Sequence, residues 1–113
     1  MSDCMFCRIV TGEIPATVVR DSPRTLAFRD VAPQAPTHVL VIPKDHHADL
    51  GALLAADPTL AADVLRETTE VAAAEGVAES GYRVLFNTGP NAGQTVHHVQ
   101  AHVLGGRPLG HLG

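Results

Sequence analysis

Residues 94–106 read QTVHHVQAHVLGG, a short and largely aliphatic stretch that carries three imidazoles, with Gln100 set among them. If this segment is a strand, its side chains alternate between two faces. His98, Gln100 and His102 then point one way, and His97, Val99, Ala101 and Val103 point the other. Polar rungs at every second residue stand roughly 7 Å apart, a spacing suited to gripping one small charged ligand. The plain alternative is the solvated face of an edge strand, but such faces more commonly carry Thr, Lys or Glu than His. Just upstream lies NTGPNAGQT, whose glycine-rich backbone and Thr95 hydroxyl offer donors to phosphate oxygens. The chain has seven histidines, and all but His111 fall into two groups, His38, His46 and His47, and His97, His98 and His102.

A second kind of chemistry sits at the other end, in Cys4-Met-Phe-Cys7. A C-x-x-C can be a redox pair, but the strand that precedes such a pair in thioredoxin-like folds is missing. Zinc takes about four ligands, and two cysteines with two histidines form a common set. The histidines on offer are His46 or His47, together with one from the last strand. Without a metal, the pair would be two partly buried thiols in a first helix.

These groups need elements to hold them. Cys4–Val10 reads as a short helix or turn, broken by Gly12 and Pro15. Segments 16–20, 25–29 and 38–42 are rich in Val, Leu, Ile, Thr and Phe and read as strands. Segment 47–56 has a helical composition. Asp57-Pro58 then opens a longer helix, with Asp57 as N-cap and Pro58 at the first helical position. Leu60, Val64, Thr68, Val71 and Ala72 fall near one face, and Gly76 marks the end. Segment 82–87 is a strand, 88–94 a loop, and 95–104 the last strand. Helices interleaved with hairpin-capable strands predict an α+β fold with an antiparallel sheet in one domain, residues 1–113.

Composition narrows the function classes. A chain of 113 residues with 45% apolar content can bury a core, mostly aliphatic because there is no Trp, one Tyr and three Phe. A net charge of -4 without a basic cluster argues against nucleic acid as a partner. No apolar run approaches membrane-spanning length, and MSDCMFCRIV lacks the features of a signal peptide. A cytoplasmic location follows as the expectation, and there a structural disulfide is disfavoured.

The sequence also resembles a known family. GQTVHHVQAHVLGG is similar to the His-φ-His-φ-His-φ-φ signature (φ apolar) of the histidine triad, or HIT, hydrolases. FRDVAPQAPTHVLVIPKDH, the opening CMFCRIVTGEIPA and YRVLFNTG resemble the same family, closest to its Hint branch. The resemblance implies a five-stranded antiparallel sheet with two helices, paired as a homodimer into a ten-stranded sheet. It implies binding of purine nucleoside monophosphates and hydrolysis at their α-phosphate, as of the P–N bond in phosphoramidates such as AMP-lysine. By position, Asp30 would hold the ribose hydroxyls, and Asn87, Gly93, Gln94 and Thr95 would contact the ligand or its phosphate. His38 would support the catalytic histidine, and His98 and His102 would be the outer triad members. Zinc-bearing bacterial relatives look similar at the N-terminus, implying a closed structural zinc on Cys4, Cys7, His46 and His98. The sequence departs from the pattern at the middle triad position, where the nucleophile would stand and Gln100 is found. A carboxamide nitrogen has a delocalised lone pair and cannot carry a nucleotidyl group as imidazole does. It can still donate and accept hydrogen bonds. The chain as written is therefore expected to bind nucleotide on the scaffold of a hydrolase while turning it over very slowly, or to serve as a non-catalytic nucleotide sensor or partner-binding module. The other residues have plainer expectations. His47 starts a helix, His97 packs, Asp45 and Asp49 are solvated or cap a helix, and Arg107 lies on the surface or near the phosphate.

Overall fold

A computed structural model describes residues 3–112. In chain order the elements are α1 (Met5–Val10), β1 (Val18–Asp21), β2 (Thr25–Arg29), β3 (Thr37–Pro43), α2 (Leu50–Ala56), α3 (Pro58–Ala74), β4 (Tyr82–Phe86) and β5 (Ala101–Gly105). A 3₁₀ turn, Pro90–Ala92, interrupts the loop before β5. The strands form one antiparallel sheet in the order β1-β2-β3-β5-β4. β3 and β5 lie at its centre, so groups on them sit on the best-braced part of the molecule. Among the described residues, no helix is long and apolar enough to cross a membrane.

Period-two alternation assigns the two faces. Val39 and Val41 of β3, with Ala101 and Val103 of β5, are buried under α2 and α3. The helices answer with Leu53, Leu60, Ala61, Val64 and Val71. α3 begins as its sequence predicts: the Asp57 carboxylate accepts from the Leu60 N–H at 3.0 Å, with Pro58 in the first turn. It ends at Ala74, and Gly76 takes a φ of 75°, a left-handed conformation that suits a helix terminus. Asp49 caps α2 by accepting from the Ala52 N–H at 2.9 Å. The other sheet face carries Leu26, Phe28, Leu40 and Ile42, against which Phe6 of α1 packs. Besides the pair on the first face, the fold thus has a short third helix on the opposite face.

The last strand is half its expected length. Residues 95–100 are not in the sheet, and β5 begins at Ala101. Other partners claim that segment: the Val99 N–H donates to the His47 carbonyl at 2.8 Å, and the Gln94 amide donates to the Ala48 and Val96 carbonyls. The bonds to His47 and Ala48 tie the chain to the connection after β3 instead of to a strand ladder. β1 likewise starts two residues later than expected, and α2 starts at Leu50, after its Asp49 cap.

Candidate ligand site and metal cluster

The face shared by Leu40 and Phe28 also carries chemistry. His102 lies opposite Leu40 in the β3–β5 register, and His38 lies two residues before Leu40. The His38 Nε2 is 2.9 Å from His102 Nδ1 and 3.5 Å from the Asp30 carboxylate. Burial, with His38 adding to it, holds His102 below the usual histidine pKa, so its ring is neutral near pH 7. Asp30, at the end of β2, is fixed by the Ala32 N–H, which donates to it at 2.8 Å.

In front of this group lies a cavity of about 640 Å³. That is within the roughly 300–1,000 Å³ of small-ligand clefts. Asp30 and Val31 line it after β2, His102 lines it from the sheet with Gln100 just before β5, and Asn87 and residues 93–96 line it from the loop. Met5, Phe6 and Ile9 of α1, with Phe28 and Leu40, supply an apolar wall. The structure thus gathers Asp30, Asn87, Gly93, Gln94, Thr95, Gln100 and His102 around one space.

Four of the expected residues, Gly93, Gln94, His97 and His98, have surroundings that the sequence did not show. The Gln94 side chain is buried and occupied within the loop, accepting from the Gly89 N–H and donating to two carbonyls. The N–H groups of Gly93 and Gln94 also donate inside the loop, to Pro90 and Gly89. These residues shape the loop, and Thr95 is the exposed polar group it presents. His98 does not line the cavity. Its ring is fully buried and turned toward the N-terminal cysteines. His97, expected to pack, is exposed beside the same cysteines because the strand that would bury it does not form there.

The cysteine cluster is closely defined. The Sγ atoms of Cys4 and Cys7 and the Nδ1 atoms of His46 and His98 all lie within 4.8 Å of one another. Cys4–His98 is 3.3 Å, Cys7–His46 3.4 Å, Cys7–His98 3.5 Å and His46–His98 3.3 Å. Tetrahedral zinc, with bonds of about 2.3 Å to sulfur and about 2.0–2.1 Å to nitrogen, puts neighbouring donors roughly 3.3–3.8 Å apart. The donors fit that shell. His98 Nε2 lies 2.8 Å from the Pro43 carbonyl, which only accepts. The proton is therefore on Nε2, leaving the Nδ1 lone pair aimed at the cluster, the usual outer support of a metal-bound histidine. His47 is left out, and His46 is the one chosen.

Several contributors carried no sequence signal of their own. Gln34 contacts His38, and the Pro43 carbonyl orients His98. Arg107, expected on the surface or near the phosphate, is exposed and donates to the Gln34 carbonyl. Only the apolar pattern of MFCRIV hinted that α1 would form a cavity wall.

The chain matches the HIT domain family over residues 11–109. An uncharacterized HIT-like protein of Synechococcus elongatus is 50% identical over 107 residues, covering 95% of this chain and 93% of its own length. A purine nucleoside phosphoramidase of Escherichia coli K12 is 39% identical over 108 residues, covering 96% of this chain and 91% of its own. The crystal structure of a HIT family hydrolase from Legionella pneumophila superposes with a TM-score of 0.90 at 49% identity, over 94% of this chain and 95% of that one.

Proposed function

This chain belongs to the HIT domain family, and on that premise we propose that it binds a purine nucleoside monophosphate on the scaffold of a nucleoside phosphoramidase. One observation carries this: Asp30 and His102 border the same cavity, with Gln100 beside His102 where a nucleophile would stand. The Asp30 carboxylate takes the ribose hydroxyls, the apolar wall from α1 takes the base, and His102 with Thr95 takes the α-phosphate. The named activity of the Escherichia coli relative supports this substrate class. Hydrolysis at the α-phosphate is impaired, because Gln100 cannot form the covalent nucleotidyl intermediate that an imidazole would. A nucleotide sensor without turnover is the second reading, and the same carboxamide favours it.

Zinc on Cys4, Cys7, His46 and His98 is structural in this proposal, since four protein donors close the shell and leave no position for substrate. Its chemistry is to join α1 to the connections before α2 and β5. The cytoplasm, where thiols stay reduced, suits such a site. Two copies pair as a homodimer through β4, an edge strand half-buried along its whole length, and the adjoining α3, which exposes Leu65.

Calorimetry with AMP and 2′-deoxy-AMP tests the nucleotide assignment. AMP is expected to bind with micromolar to millimolar affinity. The deoxy form should lose about 1.5–3 kcal/mol, the worth of a hydrogen bond to a charged group. Equal affinities would remove Asp30 from the ribose, and no binding of either would refute the proposal.

A further inference from the structure

The protonation of the histidine pair is set from outside the cavity, by a backbone group. The Gln34 N–H donates to His38 Nδ1 at 3.0 Å. A ring nitrogen that accepts carries no proton, so neutral His38 holds its proton on Nε2. That Nε2–H faces two acceptors, His102 Nδ1 at 2.9 Å and the Asp30 carboxylate at 3.5 Å. His102 Nδ1 is thereby committed as an acceptor, and the His102 proton sits on Nε2, the nitrogen left for the cavity.

The same logic bears on the alternative use of these groups. Asp30, His38 and His102 offer atoms within 4.8 Å of one another, as a metal site would. A metal there needs the lone pairs of both His38 Nε2 and His102 Nδ1. The Gln34 N–H already occupies the Nδ1 lone pair of His38, so a metal on Nε2 would require an imidazolate. The cluster is built as a hydrogen-bond relay.

What fixes Gln34 is the chain beyond β5. The Arg107 guanidinium donates to the Gln34 carbonyl at 2.8 Å and to the Pro108 carbonyl at 2.8 Å. The Gln34 side-chain amide donates to the Ala32 carbonyl at 2.9 Å, next to Asp30. The segments meet closely: Gly106 has a φ of 95°, and a Cβ there would stand 2.9 Å from Pro36.

We propose that Arg107 and Gln34 are positioning residues that lock His102 as an Nε2–H donor to the cavity. The site then offers a fixed donor to a deprotonated phosphoryl oxygen and no imidazole base to activate water. That the oxygen belongs to a nucleotide rests on the function proposed above; the tautomer itself does not.

Long-range ¹H–¹⁵N spectra of the full chain, metal-loaded and labelled at histidine, read the tautomers without ligand. The expected result is Nε2–H for both His38 and His102. Arg107→Ala should mix the tautomers of both rings and weaken AMP binding about tenfold, the scale of one good hydrogen bond. Arg107→Lys, which keeps one donor, should restore the spectrum. Gln34→Pro, which deletes the N–H together with the side-chain bond to Ala32, should reproduce the mixing, and Gln34→Ala, which loses the side-chain bond but keeps the N–H, should not. A wild-type His102 protonated on Nδ1, or an Arg107→Ala spectrum identical to wild type, overturns the proposal. Loss of AMP binding in wild type with the expected tautomers would refute the nucleotide assignment and uphold the lock.

Discussion

At the scale of a single residue, Gln100 governs what this cavity can do. It lines the site beside His102, and its Oε1 is buried without a hydrogen-bond partner among the described residues. On the function proposed above, His102 would not take over the attack on phosphorus, because its Nδ1 faces His38. His98, the other imidazole expected here, is buried at the cysteine cluster. Removing the nucleophile of another hydrolase costs on the order of 10⁶ in turnover, since the remaining groups only bind and polarise. Gln100→His is therefore expected to hydrolyse an adenosine phosphoramidate at least about a thousandfold faster, about 4 kcal/mol of transition-state stabilisation. Single-turnover kinetics check this, with an acid-labile nucleotide on the protein as the mark of the intermediate. If the Gln100 protein already matches the His variant, or itself traps labelled nucleotide, the nucleophile is another residue.

At the scale of elements, α1 joins the two sites. It has six residues, too few for a helix to persist unaided. Phe6 anchors it, with its ring 5.4 Å from Phe28 and 6.0 Å from His98, both edge-on. Cys4 and Cys7 tie it to His46 and His98. The same helix presents Met5, Phe6 and Ile9 to the cavity. A metal lost from the cluster should therefore free a cavity wall. Protein purified without chelators should carry about one zinc per chain, and a strong chelator should lower the melting temperature. Chelation should also weaken AMP binding and speed amide exchange through α1, and Cys7→Ser should do the same. Full AMP affinity in a chelated protein whose metal is shown to be gone would sever the link between cluster and cavity.

At the scale of the whole molecule, the sheet leaves β1 and β4 as its edges. All five residues of β4 are only half-buried, and Leu65 of α3 is 48% exposed. An edge strand with apolar residues is a surface proteins rarely leave open. Light scattering at micromolar concentration should give twice the 11.9 kDa of one chain. A mass equal to one chain there rules out the dimer.

The sequence by itself determined what depends on neighbours along the chain. The Asp57-Pro58 start of α3 and its buried stripe Leu60, Val64, Thr68, Val71 and Ala72 follow from capping chemistry and helical period. β2 spans the expected residues because Thr25–Arg29 is a run of strand formers closed by a turn. The family, the cysteine pair and the carboxamide of Gln100 set among the histidines were legible because each is a matter of residue type and spacing. Tertiary structure decided where equivalent groups compete. Alternation alone placed His98 and His102 as rungs of one ladder. Yet His98 meets Cys4 across 94 residues of sequence and leaves the cavity, while His102 meets His38 and stays. The choice of His46 over His47, which spacing left open and only the family resemblance implied, the late start of β5 and the hold of Arg107 on Gln34 are of the same kind. Each depends on which distant carbonyl, thiol or ring the folded backbone brings within about 3 Å, hydrogen-bonding reach, and local pattern does not encode that distance.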